Sequence, residues 1–242
     1  MPNASEFPLP RVSVVIPTLN ESENLKALIP RLPRWIHELI IVDGRSTDGT
    51  VETARRLFPD VRIVYEMRKG KGVALTRGFD AATSDIIVML DADGSMAPEE
   101  IILFVGALLA GADFVKGSRF LQGAGTVDMT YFRMFGNWCL TKAVTLLYGG
   151  SFSDLCYGYI GFWRSHCNAL RSEGTGFEIE TLLNINALKN GLKIVEVPSF
   201  EAHRLHGESN LRALPDGWRI LKVILGERLA GRRIPRDASN PI

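Results

Sequence analysis

Short apolar runs alternate with amphipathic stretches through the first half of the chain. Val12–Ile16, Leu39–Val42, Arg62–Tyr65, Ile86–Leu90 and Phe114–Lys116 are β-rich runs bounded by turn residues, and they read as strands. Between them, Glu23–Ile29, Thr50–Phe58, Gly72–Ala82 and Pro98–Ala110 carry helical spacing. Ser46 and Thr47 are candidate caps for the second helix, Asp48 suits its turn, and Pro98 suits the first turn of the fourth. Such alternation predicts an α/β fold, with a Rossmann-like, mainly parallel central sheet and helices on both faces. Ligands bind such sheets outside the carboxyl ends of the strands. Pro17–Glu21, Asp43–Asp48, Glu66–Lys71 and Asp91–Ser95 all fall on that rim.

The second half is less regular. A helix over about Thr130–Tyr148 is followed by an aromatic strand, Tyr157–Trp163, a helix near Phe177–Lys189 and a strand, Lys193–Val197. A polar loop, Glu201–Asn210, leads to an amphipathic helix over about 215–230. Neither a repeat nor a linker divides the chain. The expected organisation is a flexible N-terminus over 1–10, one domain over 11–231 and a polar tail over 232–242.

Composition narrows the function classes. A length of 242 residues supports a substantial core without disulfides. A net charge of +1 argues against a general nucleic-acid binder. Cys139, Cys156 and Cys167 are odd in number and lack metal-ligand spacing, which fits a reducing compartment. The polar start is no secretory signal, and no apolar stretch is long enough to span a bilayer. The expected location is cytoplasmic, with any membrane contact made from the cytoplasmic surface.

The candidate chemistry sits at the strand ends. Asp91-Ala92-Asp93 closes an apolar run, where two carboxylates can converge on a hard cation, Mg²⁺ or Mn²⁺, shared with substrate phosphates. Lys69-Gly-Lys71-Gly precedes a helix and suits an anionic donor, without the full P-loop pattern. Asp43 can accept hydrogen bonds from a base or a ribose. Glu178 and Glu180 lie two apart on one helix, so at most one points into the cleft. Between Arg212 and Arg236 seven Lys/Arg face two acids, around an apolar stripe of Trp218, Leu221, Leu225 and Leu229. That helix can lie on an anionic membrane or pack its stripe on the domain. Tyr131, Phe132 and Phe135 offer a second apolar surface for lipid.

Taken in order, these motifs resemble the family 2 glycosyltransferases of GT-A fold, and within them the polyprenyl-phosphate (dolichyl-phosphate) mannosyl- and glucosyltransferases. The resemblance is carried by Val14-Val-Ile-Pro-Thr-Leu-Asn-Glu21, Ile40–Asp43 with Ser46–Thr50, Lys69–Ala74 and Val88–Asp93. It continues through Gly117–Arg119, Asp154 with Gly158-Tyr159, Gly176–Glu180 and His206–Asn210. The pattern departs at Gly44, where the family usually has a second acid, and at Ser95, where this branch often has Gln or His.

The resemblance implies a metal-dependent, inverting transfer of a hexose from a GDP-mannose or UDP-glucose type donor to a polyprenyl phosphate. Pro17, Thr18, Asn20, Glu21, Asp43, Lys71, Asp91, Ala92 and Asp93 would meet the donor, with Asp91 and Asp93 holding the metal. Arg119, Arg133, Asn137 and Glu180 would meet the acceptor, the two arginines clamping its phosphate, with Asp154 at the sugar and acceptor end. Arg204, with His206, would belong to a mobile basic loop that closes over the diphosphate, so Asp93, Asp154 and Arg204 form the expected catalytic set. A hydroxyl on a soluble molecule or glycan is the alternative acceptor, and would need Glu178 or Glu180 as a base. A nucleotidyltransferase would show a Gly-rich loop after the first strand, where Pro17–Glu21 stands. A non-catalytic sugar-nucleotide binder would have lost Asp91, Asp93, Asp154 and Arg204, all of which are present. A homodimer or a membrane-protein partner stays open.

Overall fold

The computed structural model describes residues 9–207 and 212–230. Its elements in chain order are β1 (Val12–Thr18), α1 (Ser22–Leu28), β2 (Glu38–Asp43), α2 (Thr50–Leu57), β3 (Arg62–Tyr65) and α3 (Lys71–Ala81). They continue with β4 (Ile86–Met89), α4 (Ile101–Leu109), β5 (Phe114–Ser118), β6 (Gly125–Thr126) and α5 (Tyr131–Tyr148). The remainder is β7 (Ile160–Trp163), α6 (Cys167–Leu170), α7 (Ile179–Lys189), β8 (Ile194–Pro198), β9 (Phe200–Glu201) and α8 (Ala213–Leu229). The expected N-terminal segment and polar tail fall almost wholly outside the described residues, as do Glu208–Asn210 of the polar loop.

Seven strands form one sheet in the order β3-β2-β1-β4-β7-β5-β8. β7 runs antiparallel to both its neighbours, and the other pairings are parallel. The continuous apolar runs of β1, β2 and β4 follow from burial on both faces. One face packs on α1, α2 and α4 through Leu25, Leu28, Ala54 and Phe104, the other on α3 and α7 through Leu75, Ile179 and Leu183. A third apolar cluster, including Val144, Ile185, Ile220 and Ile224, joins α5, α7 and α8. The strand ends of β1, β2, β4 and β5 therefore share one rim, flanked by α5 and α8.

Local capping differs from expectation in one place. Ser46 and Thr47 do not cap α2, which starts after Gly49 with no side-chain cap. Ser46 Oγ instead accepts from Asn20 N at 2.8 Å, and Thr47 N donates to Asn20 Oδ1 at 2.8 Å. The two hydroxyls are drawn away because they tie the β1–α1 loop to the β2–α2 loop. Asp48 supports the helix start by accepting from Thr50 N and Ser22 N, both at 3.0 Å. Thr130 does cap α5, accepting from Arg133 N at 3.3 Å.

Candidate active site

A cavity of about 1260 Å³ runs along the rim and continues as a trough between α5 and α8. Asp91 and Asp93 sit at its middle, just past β4. The first half of the wall is built on the ends of β1–β3, where Pro17, Leu19, Gly44 and Met67 line a slot together with Arg45, Glu66 and Arg68. The other half carries Arg119, Arg133 and Asn137, then the apolar faces of α5 and α8.

Two cations organise the rim, and each bridges two carboxylates. Lys71, first residue of α3, places Nζ 2.6 Å from Asp91 and 2.6 Å from Glu180. Burial works against its charge, but the two acids outweigh it, so its pKa is raised. Burial in turn pushes the Glu180 carboxyl up, against the pull of Lys71. Close passage of this pair explains Gly158, where an added Cβ would stand 2.6 Å from Glu180 Oε1. Arg204 pairs with Glu21 and, at 3.3 Å, with Asp93. Glu21 is raised by burial, despite bonds from Asn24 and Arg204. Ser95 fixes the second oxygen of Asp93 through its backbone N at 3.0 Å and its hydroxyl at 2.7 Å. Leu205 N donates to Asp93 O at 3.1 Å, which holds the basic loop on the Asp91–Asp93 turn.

The acceptor half is built on a buried ion triad. Arg119, 5% exposed, donates through Nε and Nη2 to Asp154 at 2.6 and 2.9 Å, and through Nη1 to Glu201 at 3.0 Å. Asp154 is fully buried; burial alone would raise its pKa, yet Arg119 holds it below the ordinary value. The guanidinium also lies over the Tyr157 ring, 4.7 Å from its centroid. Arg119 is thus already committed to carboxylates. Arg133 is less constrained, with two long contacts to Asp128, 3.3 Å to its carboxylate and 3.4 Å to its carbonyl. Asn137 is buried and accepts from Leu155 N and Cys156 N, so it shapes the turn after Asp154.

Other expected positions take different places. Thr18, Glu21, Lys71, Asp91, Ala92 and Asp93 line the cavity, whereas Asn20 and Asp43 do not. Asn20 joins the two loops described above, and Asp43 Oδ2 accepts from Arg45 N and Ser46 N at 3.0 and 3.1 Å. Asn20 Oδ1 and Asp43 Oδ2 thus help to build the rim, while Asp43 Oδ1 is buried without a hydrogen-bond partner. Of the two acids at the start of α7, Glu180 faces the cavity, while Glu178, just before the helix, accepts from Thr175 N, Gly176 N and Arg219. Spacing alone allowed one of them inside and did not choose between them.

Several contributors carry no sequence signal. Glu201, on the sequence only the start of a polar loop, is the second partner of Arg119 from 82 positions away. Lys116 is fully buried in β5 and donates to the Tyr157 carbonyl, with burial pulling its pKa down. Glu66, which lines the slot, is held by Arg68 at a pKa lowered to about 2.

A divalent cation fits this rim only with help. Among the described residues no group of three or more His, Cys, Asp or Glu side chains converges to hold one. Asp91 and Asp93 supply two hard oxygen donors, so diphosphate and water would complete the coordination.

Comparison with known proteins accords with this geometry. Residues 13–171 match the model of glycosyl transferase family 2, more than half of the chain. The chain belongs to glycosyl transferase family 2. It is 34% identical over 224 residues to a polyprenol monophosphomannose synthase of Mycolicibacterium smegmatis, covering 86% of this chain and 83% of that one. It is 31% identical to an undecaprenyl-phosphate mannosyltransferase of Micrococcus luteus, covering 88% and 92%. Among solved structures, glucosyl-3-phosphoglycerate synthase of Mycobacterium tuberculosis, in complex with Mn²⁺ and uridine diphosphate, superposes with a TM-score of 0.71. That match covers 93% of this chain and 82% of the other at 24% identity, and speaks for the shared GT-A fold. Family membership and these relatives make the chain a glycosyltransferase.

Proposed function

We propose that this glycosyltransferase moves a hexose from a nucleoside-diphosphate sugar to a polyprenyl phosphate, with inversion at the anomeric carbon. The observation that carries the choice of acceptor is the pairing of the inner-rim acids. Glu21, Asp91, Asp93, Asp154, Glu180 and Glu201 each hold an ion pair with Lys71, Arg119 or Arg204. A hydroxyl acceptor needs a base free to take its proton, whereas a phosphate is already anionic and needs none. The relatives named for polyprenol and undecaprenyl phosphate support the same reading.

The donor would lie with its base in the slot between Pro17 and Met67, its diphosphate at Asp91 and Asp93, and its sugar toward Glu180 and Asp154. Asp91 and Asp93 would hold Mg²⁺ or Mn²⁺, which when bound neutralises charge gathering on the leaving diphosphate. Arg204 would supply a second positive charge by turning from Glu21 and Asp93 to the diphosphate. Arg133 would bind the acceptor phosphate at the head of the α5–α8 trough, where planar guanidinium geometry suits phosphate. Arg119 would act behind it, fixing Asp154.

The trough would take the first isoprene units. Phe132 on α5, with Leu214 and Trp218 on α8, line it and are exposed, and Tyr131, Phe135 and Trp138 add further exposed rings to α5. No helix among the described residues is long and apolar enough to cross a membrane. Access to the lipid would therefore run over these faces from the bilayer surface. Arg133→Ala tests the proposal: use of polyprenyl phosphate should fall at least tenfold while donor binding stays. Unchanged acceptor use would remove Arg133 from the phosphate site.

A further inference from the structure

A path of direct contacts joins the trough wall to Lys71, and it begins at Arg219. Gly217, Trp218 and Leu221 of α8 line the cavity. Arg219, between them in sequence, reaches the segment before α7, donating through Nη2 to Thr175 Oγ1 at 2.8 Å and Glu178 Oε1 at 2.9 Å. Glu178, 4% exposed, also accepts from Thr175 N at 2.9 Å and Gly176 N at 3.0 Å. One carboxylate and one guanidinium therefore fix residues 174–176.

That segment is seated flush on the loop carrying Lys71. Gly72 N donates to Thr175 O at 3.1 Å. A Cβ at Gly70 would fall 1.8 Å from Thr175 O, and one at Gly72 2.2 Å from Gly174 O. Gly70 also has φ +127°, a region that side chains rarely adopt. Two backbones so close leave no slack, and close-packed groups pass displacements on rather than absorb them. A shift of residues 174–176 moves Gly70–Gly72, and with it the cation bridging Asp91 and Glu180.

We propose that Arg219 is a positioning residue that couples the acceptor trough to the donor rim through Thr175 and Lys71. The inference rests on the functional reading above, which places acceptor and donor at the two ends of this path. A ligand that fixes α8 in the trough fixes the Lys71 loop in advance, so the nucleotide binds with less ordering still to be done. By linkage the nucleotide strengthens the lipid to the same degree. Arg219 is half-exposed and Glu178 keeps its two backbone bonds without it, so the larger effect belongs in coupling and the smaller in the melting temperature.

The test is calorimetric titration of GDP and of UDP with Mn²⁺, with and without undecaprenyl phosphate in detergent micelles. In the native chain the lipid phosphate should tighten nucleotide binding about fivefold or more. Arg219→Ala should bring that factor below about twofold while nucleotide alone binds as before. Arg219→Lys should restore part of it, because a single ammonium can still reach one of the two acceptors. Thr175→Val removes the hydroxyl at nearly constant shape and should reduce the coupling too, which covers the case of a poorly folded Arg219 variant. Unchanged coupling in both Arg219→Ala and Thr175→Val overturns the inference. So does independent binding of nucleotide and lipid in the native chain, a result that leaves the functional reading intact. Failure of the native chain to bind either nucleotide, or the lipid phosphate, overturns that reading and this inference together.

Discussion

Lys71 Nζ lies 2.6 Å from Glu180, at the other side of the cavity and 109 positions further along the chain. This contact neutralises the one α7 carboxylate that faces the substrate space, and it leaves no spare proton acceptor there. Lys71→Met should expose what the pair does. With its cation gone, the buried Glu180 carboxyl should rise further above its ordinary value. An acid with a raised folded-state pKa gives most stability below its unfolded value, about 4.3, and loses it as pH climbs through the folded value. The variant should therefore lose more urea resistance than the native chain as pH climbs above the ordinary carboxylate range. Equal losses in the two proteins would contradict this. Lys71 itself has a raised pKa, so its own contribution is complete below the ordinary lysine value near 10.4 and fades only above it.

Arg119 and Arg133 should separate in a mutant pair. Arg119→Ala strands Asp154, which is fully buried, and should cost about 3–5 kcal/mol, or on the order of 10 °C in Tm. Arg133→Ala removes only two long contacts to Asp128 and should change Tm by no more than a few degrees. Differential scanning calorimetry decides it, and equal Tm losses would show that Arg119 is not the structural member of the two.

Arg204 and a divalent cation compete for the same carboxylates. Arg204→Ala frees Glu21 and Asp93, so Mn²⁺ without nucleotide should bind about tenfold tighter or more, followed by electron paramagnetic resonance. Sugar transfer by the same variant should fall by about 10²–10³-fold, because the leaving diphosphate loses its second positive partner. Weaker Mn²⁺ binding in the variant would mean that Arg204 supports the metal site instead of blocking it.

The exposed aromatic face of α5 should carry lipid contact. Phe132, Phe135 and Trp138 are 59%, 63% and 54% exposed, so changing all three to Ser should leave the melting temperature nearly unchanged. Co-sedimentation with vesicles containing anionic lipid should drop sharply, since these rings supply the apolar area for interfacial binding. Retained sedimentation would shift the docking role to α8.

The rim was legible in the sequence because strand ends announce themselves. Apolar runs stop at Ile16, Val42 and Leu90, and turn or polar residues follow. How those residues divide between ligand and scaffold was not legible, since Asn20 Oδ1 and Asp43 Oδ2 accept from neighbouring backbone while Asp43 Oδ1 is left without a partner. The pairing of Arg119 with Asp154 and Glu201 was equally hidden, because the strand order β7-β5-β8 creates it. Periodicity places a residue on a face, but it does not say which distant partner arrives opposite. The antiparallel β7 was missed for the same reason: an apolar run has no direction.

The most direct test of the central claim is an acceptor assay with the purified chain, Mn²⁺ and labelled GDP-mannose or UDP-glucose. Undecaprenyl phosphate, the corresponding dephosphorylated polyprenol and 3-phosphoglycerate would be offered in parallel. Label should pass into an organic-soluble product only with undecaprenyl phosphate, because only that acceptor brings both a ready anion and a chain for the trough. Transfer to the free polyprenol or to 3-phosphoglycerate, with none to undecaprenyl phosphate, would contradict the account.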